Sequence, residues 1–195
     1  MMATAVNRQV LSEALGVRGG DRTRQVLLVA AGIAALALAA KLRVPMWPVP
    51  MTLQTLAVLL IGTTYGARLG LATLLGYVAL GAAGVAVFAG DAAGLAYLAG
   101  PTGGYLAGFM AAGALMGGLA RRGWDRSMAG MAGMMVAGSA VIYGLGLAWM
   151  AYLFAAEKGM AWVVQYGMLN FLAGDLVKLL IAALLVPGMW KLARR

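Results

Sequence analysis

The chain has 195 residues, 63% of them hydrophobic and 11% charged, with a formal charge of +9 and a mean hydropathy of +0.88. A soluble domain is about 45–50% apolar and about 25% charged, so a water-soluble globule is excluded and an all-α integral membrane protein is expected. With no Cys and no His there is no disulfide, thiolate nucleophile, Ser-His triad or zinc-cysteine site, and none of the four Lys follows a Gly, so there is no Walker A loop.

Residues 1–24 are polar and lack an apolar h-region, which predicts a cytoplasmic N-terminal segment and no cleaved signal peptide. Six apolar segments follow, at roughly 25–42, 51–66, 67–87, 103–120, 128–154 and 167–190. A helical span needs about 20 residues, so 25–190 is expected to be a bundle of six transmembrane helices, with a basic cytoplasmic tail at 191–195. The second segment is short, and the fifth is long enough to tilt or protrude. Pro45, Pro48 and Pro50 cannot sit in a helix interior and predict a rigid extended loop between the first two segments. Pro101 in Gly100-Pro-Thr-Gly-Gly104 opens the fourth.

The basic residues lie in short stretches between apolar runs, which reads as membrane topology and not as a nucleic-acid surface. Placing both termini in the cytoplasm puts Arg8, Arg18, Arg22, Arg24, Arg68, Arg121, Arg122, Arg126, Lys191, Arg194 and Arg195 inside, and Lys41, Arg43 and Lys158 outside. The loops 43–50, 88–102 and 155–166 then face outward. The middle one has no Lys or Arg and one acidic residue, Asp91.

In the sixth segment Asp175 and Lys178 stand three residues apart and share a helix face. A charge at the bilayer centre costs about 2.5–3.5 kcal/mol on the insertion scale. The two either neutralise each other or hold a compact polar solute between a carboxylate acceptor and an ammonium donor. They fall roughly 10–15 Å below the outer end at 1.5 Å per residue, and Phe171 lies one turn above Asp175. Thr52 and Gln54 open the second segment, as a helix cap or as ligand contacts. Small residues at four-residue spacing, among them Gly62/Gly66/Gly70, Gly100/Gly104/Gly108 and Gly113/Gly117, let helices approach closely. In the first segment Ala30, Ala31, Ala34, Ala35 and Ala39 either pack within the bundle or form a flat face for a partner helix. Trp47, Trp124, Trp162 and Trp190 read as interfacial anchors.

Four stretches carry a resemblance: Pro48-Val-Pro-Met-Thr-Leu-Gln-Thr-Leu-Ala-Val-Leu-Leu-Ile-Gly62, Gly81-Ala-Ala-Gly-Val-Ala-Val-Phe-Ala-Gly90, Gly100-Pro-Thr-Gly-Gly-Tyr-Leu-Ala-Gly-Phe109 and Gly174-Asp-Leu-Val-Lys178. In this order they resemble the BioY family, the biotin-binding S components of energy-coupling-factor (ECF) vitamin transporters, over about residues 25–190. The resemblance implies a biotin site near the outer side of a six-helix bundle in the plasma membrane. It also implies a transmembrane coupling subunit and two cytoplasmic ATPases as partners, with no enzyme activity and no cofactor or metal in this chain. The family's Gly-Asp-x-x-Lys residues map onto Asp175 and Lys178. Its glycine-rich third loop maps onto 88–105, which makes Phe88, Asp91, Thr102, Gly103 and Tyr105 substrate contacts beside Gln54 and Phe171. The alanine face of the first segment corresponds to the family's docking face for the coupling subunit. The chain departs from the family at Ala86, Asn170 and Ala173, where Pro is frequent, and at Asp91-Ala92-Ala93, where Gly is. Four alternatives stand beside this reading: another small vitamin, a solitary biotin transporter, a membrane-embedded enzyme using Asp91 and Asp175, and a purely structural subunit.

Overall fold

The computed structural model describes residues 9–16 and 21–193. Arg8, Arg18, Arg194 and Arg195, counted above toward the cytoplasmic side, lie outside the described residues. The order is α1 (Leu11–Ala14), α2 (Arg22–Lys41), a ribbon of β1 (Arg43–Val44) and β2 (Met51–Thr52), α3 (Gln54–Ala82), α4 (Leu95–Ala99), α5 (Gly103–Arg121), α6 (Met128–Lys158), α7 (Met160–Gly167) and α8 (Leu172–Ala193). Short 3-10 turns at Trp124–Arg126 and Leu169–Phe171 precede α6 and α8. Among the described residues the protein is all-α apart from the antiparallel ribbon of two-residue strands, which pairs Arg43 with Thr52 and Val44 with Met51 and frames the proline loop. Among the described residues, five helical stretches are long and apolar enough to cross a membrane: Arg22–Lys41, Gln54–Ala82, Gly103–Arg121, Met128–Lys158 and Met160–Ala193.

The helix ends follow local chemistry. The Asp21 carboxylate accepts from the Arg24 amide at the start of α2, and the Ser127 hydroxyl accepts from Gly130 at the start of α6, each supplying a partner to an otherwise orphaned N–H. Gly159 closes α6 at φ 81°. That helix runs to Lys158, four residues beyond its expected end. The last expected segment, 167–190, begins later than predicted, because α7 and the turn at Leu169–Phe171 break the helix first.

The expected segments 51–66 and 67–87 correspond to the two limbs of α3. At Gly66 the backbone takes φ 78° and ψ 171°, a conformation that only glycine adopts without strain, and the helix reverses. Gln54 and Tyr77, 23 residues apart in sequence, are 2.7 Å apart at their side chains, whereas a straight helix would separate them by about 35 Å. A Cβ on Gly70 would sit 3.2 Å from the Gly62 Cα, so the limbs touch backbone to backbone just above the reversal.

Helix α5 forms the centre, between the α3 limbs and α6. A Cβ at Gly117 would lie 2.0 Å from the Ala67 nitrogen, one at Gly113 2.4 Å from Leu74, and one at Gly108 2.8 Å from the Ile142 Cα. These glycines are internal packing surfaces, as small residues at four-residue spacing allow. Helix α2 packs chiefly on α3 and leaves Ala30, Ala31, Ala34 and Ala35 exposed, whereas Ala39 is buried. Trp190 is not an interfacial anchor: it is 4% exposed, and its indole N–H donates to Asp125 at 2.6 Å.

Candidate functional site

The turn at Leu169–Phe171 aims the first coils of α8 into the bundle. Phe171 is buried there, and Asp175 and Lys178 follow on the same face. The Lys178 ammonium donates to Asp175 Oδ1 at 2.9 Å and to the Thr55 hydroxyl oxygen at 2.8 Å. The Tyr143 hydroxyl donates to Asp175 Oδ2. Lys178 is only 8% exposed. A buried ion pair needs further hydrogen bonds to offset its desolvation, and Thr55 and Tyr143 supply one to each partner. Capacity remains, since an ammonium has three hydrogens and a carboxylate about four lone-pair positions.

These groups border a cavity of about 540 Å³, its open mouth included. Its second wall is the start of α3 with the loop before it: Pro50, Met51, Thr52, Gln54 and Thr55. The N-cap of α3 is Leu53, and the Thr52 hydroxyl just before it accepts the Gln54 N–H at 3.2 Å, so Thr52 holds the first helical N–H and lines the cavity at once. The third wall comes from Thr102, Tyr105 and Phe109 of the α5 region, and the fourth from Ile142 and Tyr143 of α6. Tyr97 and Ala89 close one side. The Tyr105 hydroxyl donates to the Gly167 carbonyl at 2.7 Å, which pins the loop before α8 to α5.

Seven of the residues singled out from the sequence therefore meet here: Thr52, Gln54, Thr102, Tyr105, Phe171, Asp175 and Lys178. Three others lie elsewhere. Phe88 is buried behind Tyr97, its ring stacked at 4.7 Å. The Asp91 side chain is fully exposed and 3.7 Å from the Lys41 ammonium. Gly103 packs on the backbone of the preceding helix, where a Cβ would lie 1.9 Å from the Leu98 oxygen. Lys41 does not stand free at the mouth, since it donates to the carbonyls of Ala86 and Gly90.

The sequence reading did not single out Thr55, Tyr97 or Tyr143. A lone Thr or Tyr in an apolar helix carries no periodic signal; a polar side chain one residue from Gln54, and a phenol in mid-span, were the available hints. The cavity joins apolar and aromatic walls to one polar edge offering both donor and acceptor. That suits a small solute with apolar faces and a polar rim. Among the described residues no cluster of His, Cys, Asp and Glu is arranged to hold a metal ion.

Comparison with known proteins bears on the family and the fold. The family model described as "BioY family" matches residues 6–195. The chain is 37% identical over 168 residues to a protein of Pyrococcus horikoshii named "Probable biotin transporter BioY", covering 86% of this chain and 97% of that one. It is also 37% identical to the "Biotin transporter BioY" of Thermotoga maritima, covering 85% of this chain and 96% of that one. Among solved structures, the S-component for biotin from an ECF-type ABC transporter superposes with a TM-score of 0.77 at 21% identity, covering 90% of this chain and 95% of that one. At that identity the likeness establishes the fold.

Proposed function

The chain belongs to the BioY family, and on that premise we propose that it is the biotin-binding S component of an uptake transporter in the plasma membrane. It is a transporter component and not an enzyme. The observation that carries the reading is the half-buried chain Tyr143–Asp175–Lys178–Thr55 on the rim of an aromatic cavity. Biotin has the matching chemistry, with apolar ring faces, a ureido edge of two N–H donors and one carbonyl, and an anionic tail. Asp175 accepts from a ureido N–H, and the third hydrogen of Lys178 goes to a biotin oxygen. Tyr105, Phe171 and Tyr97 pack on the ring system. Phe88 supports Tyr97 from behind, and Gly103 and Asp91 shape the loop at the mouth.

Counting the limbs of α3 separately gives six spans with both termini cytoplasmic. The first limb, residues 54–65, is only about 18 Å long at 1.5 Å per residue, and the buried Val10 and Leu11 fill in beneath its apex. The biotin mouth then faces outward, on the side poor in Lys and Arg. The chain has no Walker A loop, so ATP-driven uptake falls to a coupling subunit and two ATPases, docked on the exposed alanines of α2.

Equilibrium binding of labelled biotin to the purified chain tests the reading. Saturable binding competed by unlabelled biotin is expected. Binding of a different vitamin in its place would overturn the substrate. Orientation is tested by single cysteines in this cysteine-free chain. Asp91→Cys should react with an impermeant thiol reagent in intact cells, and Arg122→Cys only after permeabilisation; the reverse pattern would put the mouth on the wrong side.

A further inference from the structure

Tyr77, on the second limb of α3, is 1% exposed and lies outside the residues that line the cavity. Its hydroxyl oxygen is 2.9 Å from the Val87 carbonyl and 2.7 Å from the Gln54 side-chain amide. A carbonyl only accepts, so the single phenolic hydrogen goes to Val87. The phenolic oxygen is then an acceptor toward Gln54, and the amide atom facing it is the NH₂. The two ends of an amide are distinguished by their partners, and here the partner allows one orientation.

That orientation leaves Gln54 Oε1 directed away from Tyr77. Among the described residues no protein donor reaches it, and it is not one of the buried polar atoms sealed without a partner. Gln54 is 5% exposed and lines the cavity, so the open space at this oxygen is the cavity itself. Its sequence neighbour Thr55 holds Lys178, which holds Asp175. The free acceptor therefore belongs to the same polar rim.

We infer that Tyr77 is a positioning residue that locks the Gln54 amide so that its oxygen accepts a ring N–H of the solute, making Gln54 a specificity-determining contact. The inference rests on the biotin reading above and deepens it. Gln54 takes one ureido N–H, and the remaining lone pairs of Asp175 take the other. The lock ends on Val87, in the loop after α3, so that loop sets which end of the amide the solute meets. An amide turned the other way would present a donor, and a solute with N–H groups on that edge would be rejected.

The test measures binding to the full chain in lipid nanodiscs. The probes are biotin and the two biotin isomers methylated on one ring nitrogen each. Tyr77→Phe should weaken biotin binding by about 10-fold, the size of one lost hydrogen bond, and Gln54→Met by at least as much. The double variant should bind as Gln54→Met does, because the Tyr77 effect passes through Gln54. The preference for biotin over one methyl isomer should collapse in all three variants. Equal losses from Tyr77→Phe with and without Gln54 present would overturn the inference, since a merely structural tyrosine gives additive effects. If Tyr77→Phe does not yield folded protein, Gln54→Met decides alone: unchanged discrimination against both isomers would overturn it. An unaltered chain that binds no biotin would remove this inference and the functional reading together. An unaltered chain that binds biotin, combined with additive losses, would remove this inference only.

Discussion

Two carboxylates are withdrawn from water at opposite ends of the bundle, and their surroundings differ. Asp125 is 0% exposed and accepts from the Trp190 indole at 2.6 Å, with the Arg126 guanidinium 4.8 Å above that ring. Close by, Val10 and Leu11 are wholly buried, and Glu13 pairs with Arg121 at 2.7 Å. Asp175 also has partners, Lys178 and Tyr143, but its group faces the open cavity with donor and acceptor capacity to spare. Burial of a charge therefore does not distinguish the proposed site in this protein. What marks it is hydrogen-bonding capacity left unused beside open space. One end is closed by packing, and the other opens on a cavity with polar groups along its rim.

The largest expected effect removes both ends at once. At Gly117 a Cβ would lie 2.0 Å from the Ala67 backbone nitrogen, a contact that no rotamer relieves. Gly117→Leu should yield little folded protein by size-exclusion chromatography and no biotin binding. A monodisperse variant that binds biotin normally would mean that α5 does not hold the two ends together.

A smaller effect should separate the ends. Trp190→Phe removes the N–H that Asp125 accepts, at a cost of about 1–3 kcal/mol for a buried group left short of a partner. Thermal unfolding should shift downward while biotin affinity stays within about twofold of the unaltered chain. A large loss of affinity without a stability change would show that the closed end communicates with the cavity.

The smallest effect on the chain itself is expected on α2. Ala30 and Ala34 are exposed, so Ala30→Trp combined with Ala34→Trp should leave biotin binding unchanged, with stability within about 0.5 kcal/mol. Uptake by the assembled transporter should fall, because bulk on a small-residue face keeps a partner helix at a distance. Lost binding to the isolated chain would show that this face packs inward.

Much of the scaffold was legible because apolar runs in a membrane protein have few other uses. The ends of α2 and α5 lie within three residues of the expected segments, and the reversal at Gly66 falls where the second and third segments divide. Asp175 and Lys178 were legible because a charged pair inside an apolar run is anomalous. Asp125 was not: between Arg122 and Arg126 it reads as part of a solvated loop, and only the approach of α8 buries it. Tyr143 and Thr55 were missed for the same reason, since their partners arrive from another helix, 32 and 123 residues away. The resemblance implies substrate contacts along the loop 88–105. Only part of it lines the cavity, because the ring of Phe88 turns inward behind Tyr97 while Asp91 turns out to Lys41.

The most direct test of the account compares biotin binding to the unaltered chain and to Asp175→Asn, purified in parallel and matched for folding by thermal unfolding. Asparagine keeps the size of the side chain but loses the charge that holds Lys178 and half of the acceptor capacity. The account predicts an affinity loss of about 2–5 kcal/mol, or roughly 30-fold to several thousand-fold. A well-folded Asp175→Asn protein that binds biotin as tightly as the unaltered chain would contradict it.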